Sequence, residues 1–224
     1  MLQLSFTFNE VLATIGLFAW VLLVSLFLTK KTYEKMVQKN VEHHVAVYYN
    51  RKIIHILAGG LVAVLVPYLL SNLMLISIMV AVLAVGNYIP HRRGKLYYWY
   101  QVKENMYEVH FIIMWGLIMA LGFLIGDLRL SIVPILFMSV GDGVTGLVRN
   151  AMYRRRTKSW WGNVAMASFC VPVGFASMSF AGALSGALAS LVEKFEFGRI
   201  DDNITVPIVS FTSLLLFRFF GLTI

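Results

Sequence analysis

The sequence predicts an all-α, polytopic integral membrane bundle of seven to eight hydrophobic segments with its N-terminus outside. Three observations lead there. Of 224 residues, 59% are hydrophobic and only 13% charged, about half the ~25% charge of a soluble domain, and the mean hydropathy is +0.76. The apolar residues come in blocks, several long enough to cross about 30 Å of hydrocarbon at about 1.5 Å per helical residue. Lysine and arginine gather in alternate connections between those blocks, the asymmetry that orients membrane helices. The one cysteine, Cys170, lies inside an apolar block, so there is no disulfide framework. A net charge of +8 does not point to nucleic acid here. The basic residues border the apolar blocks in short loops, where they serve as topology signals and phosphate ligands.

The elements follow in order. Val11–Leu28 lacks a small-residue cleavage site and ends in Thr29-Lys30-Lys31, so it reads as a retained span rather than a signal peptide. A polar cytoplasmic connection, residues 30–52, precedes Ile53–Leu70 and Leu73–Ile89. The stretch KLYYWYQVKENMYE, Lys95–Glu108, is too polar to span. Its Tyr97, Tyr98, Trp99 and Tyr100 predict an interfacial helix at headgroup level. Phe111–Ile125, Leu130–Val148 and Asn163–Ala181 are the next spans. Gly182 separates the last of these from a shorter block, Ala183–Val192, and Ile204–Phe220 closes the chain. Basic residues crowd the connections after the first, third and fifth spans, the last holding Arg149, Arg154, Arg155, Arg156 and Lys158. Ser71-Asn72 and Gly126–Arg129 are nearly bare. The positive-inside rule makes the basic connections cytoplasmic. If residues 163–192 crossed once, Asp201, Asp202 and Asn203 would lie outside. If the chain turns near Gly182, they are cytoplasmic, beside Lys194 and Arg199; the eight-segment reading is adopted. No internal repeat or second domain interrupts residues 1–224.

Four polar features converge on the cytoplasmic face. Arg51 and His55 are four apart, hence on one helical face, with Lys52 adjacent. The two cations suit a helix end as plain anchors, but His55 lies a turn deeper, where an ionisable group is by default functional. Gly59 and Gly60 beyond it allow another helix to approach. Asp142, in MSVGDGVTGLVRN, sits inside an apolar span. Unpaired it costs several kcal/mol, so it must meet a cation, a metal or a water-filled cavity. The loop at 149–162 holds more cations than topology requires, and Arg149, Arg154, Lys158, Ser159 and Gly162 mix charge, hydroxyl and glycine as a polyphosphate site does. No P-loop is present. Last, Asp201, Asp202 and Asn203 open the final span. A helix cap explains one such residue; two adjacent carboxylates point to a divalent cation, and magnesium takes carboxylate and phosphate oxygens.

Arg51-Lys52-x-x-His55, Gly141-Asp142, Lys158-Ser159-x-x-Gly162 and Asp201-Asp202-Asn203-x-x-x-Pro207, in this order, resemble the CTP-dependent lipid-alcohol kinases: dolichol kinase, phytol and polyprenol kinases, and CTP-dependent diacylglycerol kinase. The likeness spans residues 51 to 207. Two departures are visible: Arg149-Asn150 stands where the family often has a glycine, and Asn163 where a serine often follows Gly162. The resemblance implies phosphoryl transfer from CTP to the hydroxyl of a membrane lipid alcohol, of the polyprenol type (dolichol, geranylgeraniol or phytol), at the cytoplasmic face. It implies Mg2+ or another divalent cation on Asp142, Asp201 and Asp202, and a catalytic set of Asp142, His55 and Asp202. Arg51, Lys52, Arg149, Arg154, Lys158, Ser159, Gly162 and Asn203 would meet the nucleotide. Diacylglycerol kinase is the first alternative. Phosphatidate cytidylyltransferases carry a His-Gly-Gly and an Asp-Arg-x-Asp, neither of which occurs here, and CDP-alcohol phosphotransferases a longer aspartate motif that this chain begins at Asp142-Gly143 but does not complete. A transporter of an anionic solute would show paired half-helices in two repeats, and no repeat is seen.

Overall fold

Long apolar blocks give long helices, and in the computed structural model helices are the only regular elements among the described residues, which are 6–155, 157–195 and 200–221. Arg156 and Arg199 lie outside them. The helices are α1 (Phe8–Gln38), α2 (His43–Leu69), α3 (Leu73–Arg92), α4 (Tyr107–Ile125), α5 (Arg129–Tyr153), α6 (Trp160–Val192) and α7 (Asp202–Phe219). The first six are long and apolar enough to cross a membrane. The 18-residue α7, with Asp202 and Arg218 at its ends, is not among them. The centre of the bundle is α5: 67% of its apolar stretch is buried, against 11% for α1.

Local chemistry sets the helix ends. Thr7 and Glu10 form a reciprocal capping box at the start of α1. Glu10 also accepts hydrogen bonds from the backbone and hydroxyl of Ser71, 2.8 and 2.7 Å, which ties the α2–α3 turn to that end. The polar stretch after the first span is not a long loop. Thr29–Gln38 is helical, because TKKTYEKMVQ contains good helix formers and neither glycine nor proline, and Asn40 ends the run at φ 58. Residues 97–101 are likewise not an interfacial helix. The Tyr97 carbonyl accepts the Tyr100 and Gln101 N–H groups at 3.0 and 2.8 Å, and Gln101 accepts the Tyr97 N–H at 3.0 Å and donates to the Asn87 carbonyl at 3.1 Å, so a single side-chain-braced turn forms in place of a helix. Trp99 donates to the Ser25 carbonyl at 2.9 Å, packing the aromatic cluster onto α1.

The break in α6 falls at Met178 and Ser179 (the latter at φ 49, ψ −141), three to four residues before the expected Gly182. There the chain reverses into an antiparallel hairpin. Gly174 lies against Gly182, Gly186 against the Cys170 backbone, and the Asn163 amide donates to the Ser190 carbonyl. The glycine expected at the turn serves instead as a contact, for any Cβ at 182 would strike the Gly174 backbone. The hairpin returns Glu193 to the level of Lys158 and Asn163. His44 meets the Arg154 carbonyl, Asn105 meets Asp201 and Lys194 meets the Lys158 carbonyl, so the basic connections share one end of the bundle. Asp127 and Arg218, 3.3 Å apart, mark the other.

Among the described residues, three helices are locally widened into π geometry, at Leu23–Leu28 in α1, His55–Gly60 in α2 and Phe137–Gly141 in α5, and the last two cross there. A Cβ on Gly60 would lie 2.6 Å from Val140 Cγ2, and one on Gly59 2.8 Å from Ser139 Oγ. Only glycine permits that approach. One of the crossing wide turns begins at His55 and the other ends just before Asp142, an arrangement often found at functional sites.

Candidate functional site

Asp142 begins the regular part of α5 after its wide turn and is buried at 3% exposure. The cation its burial demands comes from α2. Lys52 Nζ donates to Asp142 Oδ2 at 2.6 Å, and His55 Nδ1 lies 3.1 Å from the same oxygen. Lys52 reaches it across Gly146, where a Cβ would lie 2.8 Å from the lysine Cγ and Cδ. The His55 ring stacks on Phe111, centroids 4.1 Å apart.

Two turns along α5, Arg149 donates to both carboxylate oxygens of Glu193 at 2.7 and 2.8 Å, and to Asn163 Oδ1 and the Ser159 carbonyl at 3.0 Å. Its side chain packs against Gly162, where an added Cβ would strike Nε and Cζ. Lys158 bridges the two remaining acids, 2.8 Å from Glu193 Oε1 and 2.7 Å from Asp202 Oδ2. Burial works against its charge, but Asp202 and Glu193 outweigh that and raise its pKa well above the ordinary lysine value. Thr157 and Ser159 beside it carry buried hydroxyls with no hydrogen-bond partner among the described residues.

These pairs bring Asp142, Glu193 and Asp202 together. Each offers one carboxylate oxygen, and the three oxygens lie within 4.8 Å of one another. Three carboxylates at that spacing repel, and Lys52, Arg149 and Lys158 interleave with them, so the six side chains together are close to neutral. An all-oxygen set of this kind fits a hard divalent cation such as magnesium.

The remaining residues singled out from the sequence are distributed around this centre. Asp201 is turned away: its Oδ1 accepts the Asn203 N–H at 3.1 Å, capping α7, and its Oδ2 meets His110 Nδ1 at 2.8 Å. Asn203 donates to the Tyr107 carbonyl at 3.4 Å, and its Oδ1 is buried without a hydrogen-bond partner among the described residues. Arg51 points to α4, with Nε 3.1 Å from Glu108 Oε1 and its guanidinium 4.1 Å over the Tyr107 ring. Arg154 sits exposed at the end of α5 with φ 49. Glu193 was not singled out. It stands alone at the end of an apolar block, and only a chain reversal at 178–179 brings it to Arg149.

Set against models of protein families, curated proteins and solved structures, the chain matches none of them.

Proposed function

We propose that the chain is a membrane-embedded phosphotransferase that moves the terminal phosphoryl group of CTP to the hydroxyl of a lipid alcohol of the polyprenol type. The carrying observation is the buried cluster of Asp142, Glu193 and Asp202, with carboxylate oxygens within 4.8 Å, interleaved with Lys52, Arg149 and Lys158 at the basic end of the bundle. We place that end at the cytoplasmic face, with the α6 hairpin counted as two of eight crossings and the N-terminus outside. The choice of CTP and of a prenol rests on the sequence resemblance.

The chain's own groups supply positioning and charge, which are most of what phosphoryl transfer asks of a protein. A divalent cation on the three carboxylates would neutralise charge on the transferring phosphates. Without nucleotide, the three cations are held by those same carboxylates, so the site stays folded and charge-balanced. A triphosphate offers them alternative oxygens. Lys158, whose side chain is 24% exposed, is the first that phosphate reaches, and the Thr157 and Ser159 hydroxyls, without partners among the described residues, are donors beside it. His55, against Asp142, is placed to take or relay the hydroxyl proton.

The test uses purified protein in detergent with γ-labelled CTP and a panel of prenols and diacylglycerol. Label is expected in a prenyl monophosphate and is expected to vanish with chelator. No transfer to any alcohol from CTP or ATP would overturn the reading, and incorporation of an α-label would show cytidylyl transfer instead.

A further inference from the structure

A cavity of about 190 Å³ lies between α1, α2, α3 and α4. Its walls are apolar, with Phe18, Val62, Val80, Leu83, Ile112 and Trp115 among them, and Arg51, His55 and Glu108 lie at its polar end. That end is short of hydrogen bonds. Glu108 is 7% exposed, yet neither carboxylate oxygen has a hydrogen-bond partner among the described residues, and neither does Arg51 Nε. Arg51 Nε is 3.1 Å from Glu108 Oε1 but misaligned for a bond. Buried carboxylate oxygens normally find donors, and going without is costly. Three such atoms from two side chains at one end of an apolar cavity mark a place for a ligand's polar head.

The chemistry of that head follows from the groups present. Glu108 accepts and cannot donate when ionised, so the ligand must bring an O–H or N–H. Arg51 and Glu108 together are neutral, so a charged head would leave one of them uncompensated, and an uncharged hydroxyl would not. The volume lies below the ~300–1,000 Å³ of drug-sized sites, room for one hydrocarbon chain rather than two. We infer that this cavity binds a single-chain lipid alcohol, its tail along the apolar walls and its hydroxyl donating to Glu108 beside His55. His55 also faces Asp142, so one side chain separates the hydroxyl from the carboxylate cluster. The alcohol's role as phosphoryl acceptor rests on the kinase reading; its binding does not.

The experiment measures binding without turnover. A prenol bearing a diazirine in its tail is photo-crosslinked to the purified protein, with unlabelled prenol and the matching carboxylic acid as competitors. In the wild type the alcohol is expected to compete and the acid not. Glu108→Gln removes the negative charge and leaves Arg51 uncompensated. Alcohol affinity should fall about tenfold or more, while the acid becomes a competitor, a change of preference that a purely structural role would not produce. Gly86→Leu is the second variant: Gly86 lines the cavity, a Cβ there meets no atom within 4 Å, and leucine favours a helix. It should block crosslinking without impairing folding. Unchanged crosslinking in both variants would overturn the inference, as would a diacylglycerol competing as well as the prenol. Crosslinking as expected without transfer from CTP would leave the cavity assigned and defeat the kinase reading. Transfer with an unchanged alcohol KM in Glu108→Gln would do the reverse.

Discussion

At the scale of single residues, Asp142 carries two burdens that can be separated. It neutralises Lys52, whose side chain is 4% exposed, and it belongs to the carboxylate cluster. Asp142→Asn leaves a buried lysine without its partner, a loss of about 3–5 kcal/mol. It should also lower transfer at least about a hundredfold, some 2.7 kcal/mol of barrier. The double variant Asp142→Asn/Lys52→Met should recover most of the melting temperature, because an ion pair exchanged whole for uncharged groups is close to neutral, and should recover none of the transfer. Restored transfer in the double variant would make Asp142 structural. Lys52 and the aspartate were both prominent in the sequence as residues; that they meet was not. A lysine beside an arginine at a helix end looks like an anchor until the partner helix is in place, and here Lys52 turns to α5 while Arg51 turns to α4.

At the scale of an element, the α6 hairpin decides where Glu193 stands. Its reversal puts Ser179 at φ 49, ψ −141, a conformation that favours glycine. Ser179→Gly should therefore stabilise the protein by about 1 kcal/mol, and Ser179→Val should destabilise it by at least as much. Thermal unfolding in detergent reads both, and a lower melting temperature for the glycine variant would count against a strained turn. Hairpin packing is the more demanding part. Gly174→Leu has no space against the Gly182 backbone and should force the arms apart, drawing Glu193 from Arg149 and Lys158. Stability and transfer should fall together, unlike the split expected at Asp142.

At the scale of the whole molecule, a reversal within residues 160–192 places Asp202 and Lys158 at the same end of the bundle and Phe220 at the other. Cysteines at Arg154, Ile200 and Phe220 report this, because all three positions are exposed, once the buried Cys170 has been replaced. In oriented vesicles, Arg154→Cys and Ile200→Cys should be labelled by an impermeant reagent from one side and Phe220→Cys from the opposite side. Labelling of 154 and 200 from opposite sides would remove the hairpin and the carboxylate cluster with it.

The sequence by itself determined that the chain is helical and built for a membrane, because block length and charge spacing are local properties of the chain. It also marked Asp142 and His55 as ionisable groups inside apolar spans, and Lys52, Lys158 and Asp202 as members of charged clusters that border them. What only the tertiary structure decided was pairing. Glu193 joined the cluster and Asp201 left it to cap α7 and meet His110, although Asp201 and Asp202 are neighbours in the chain. Adjacent residues at a helix start point in different directions, and which one faces the cluster depends on how α7 docks on α4 and α6. Glu108 was likewise hidden, because its burial against Arg51 depends on α2 and α4 closing one end of a shared cavity. Hydrophobic patterning specifies which segments associate, whereas ion pairs form at distances of a few ångströms that only the packed helices set.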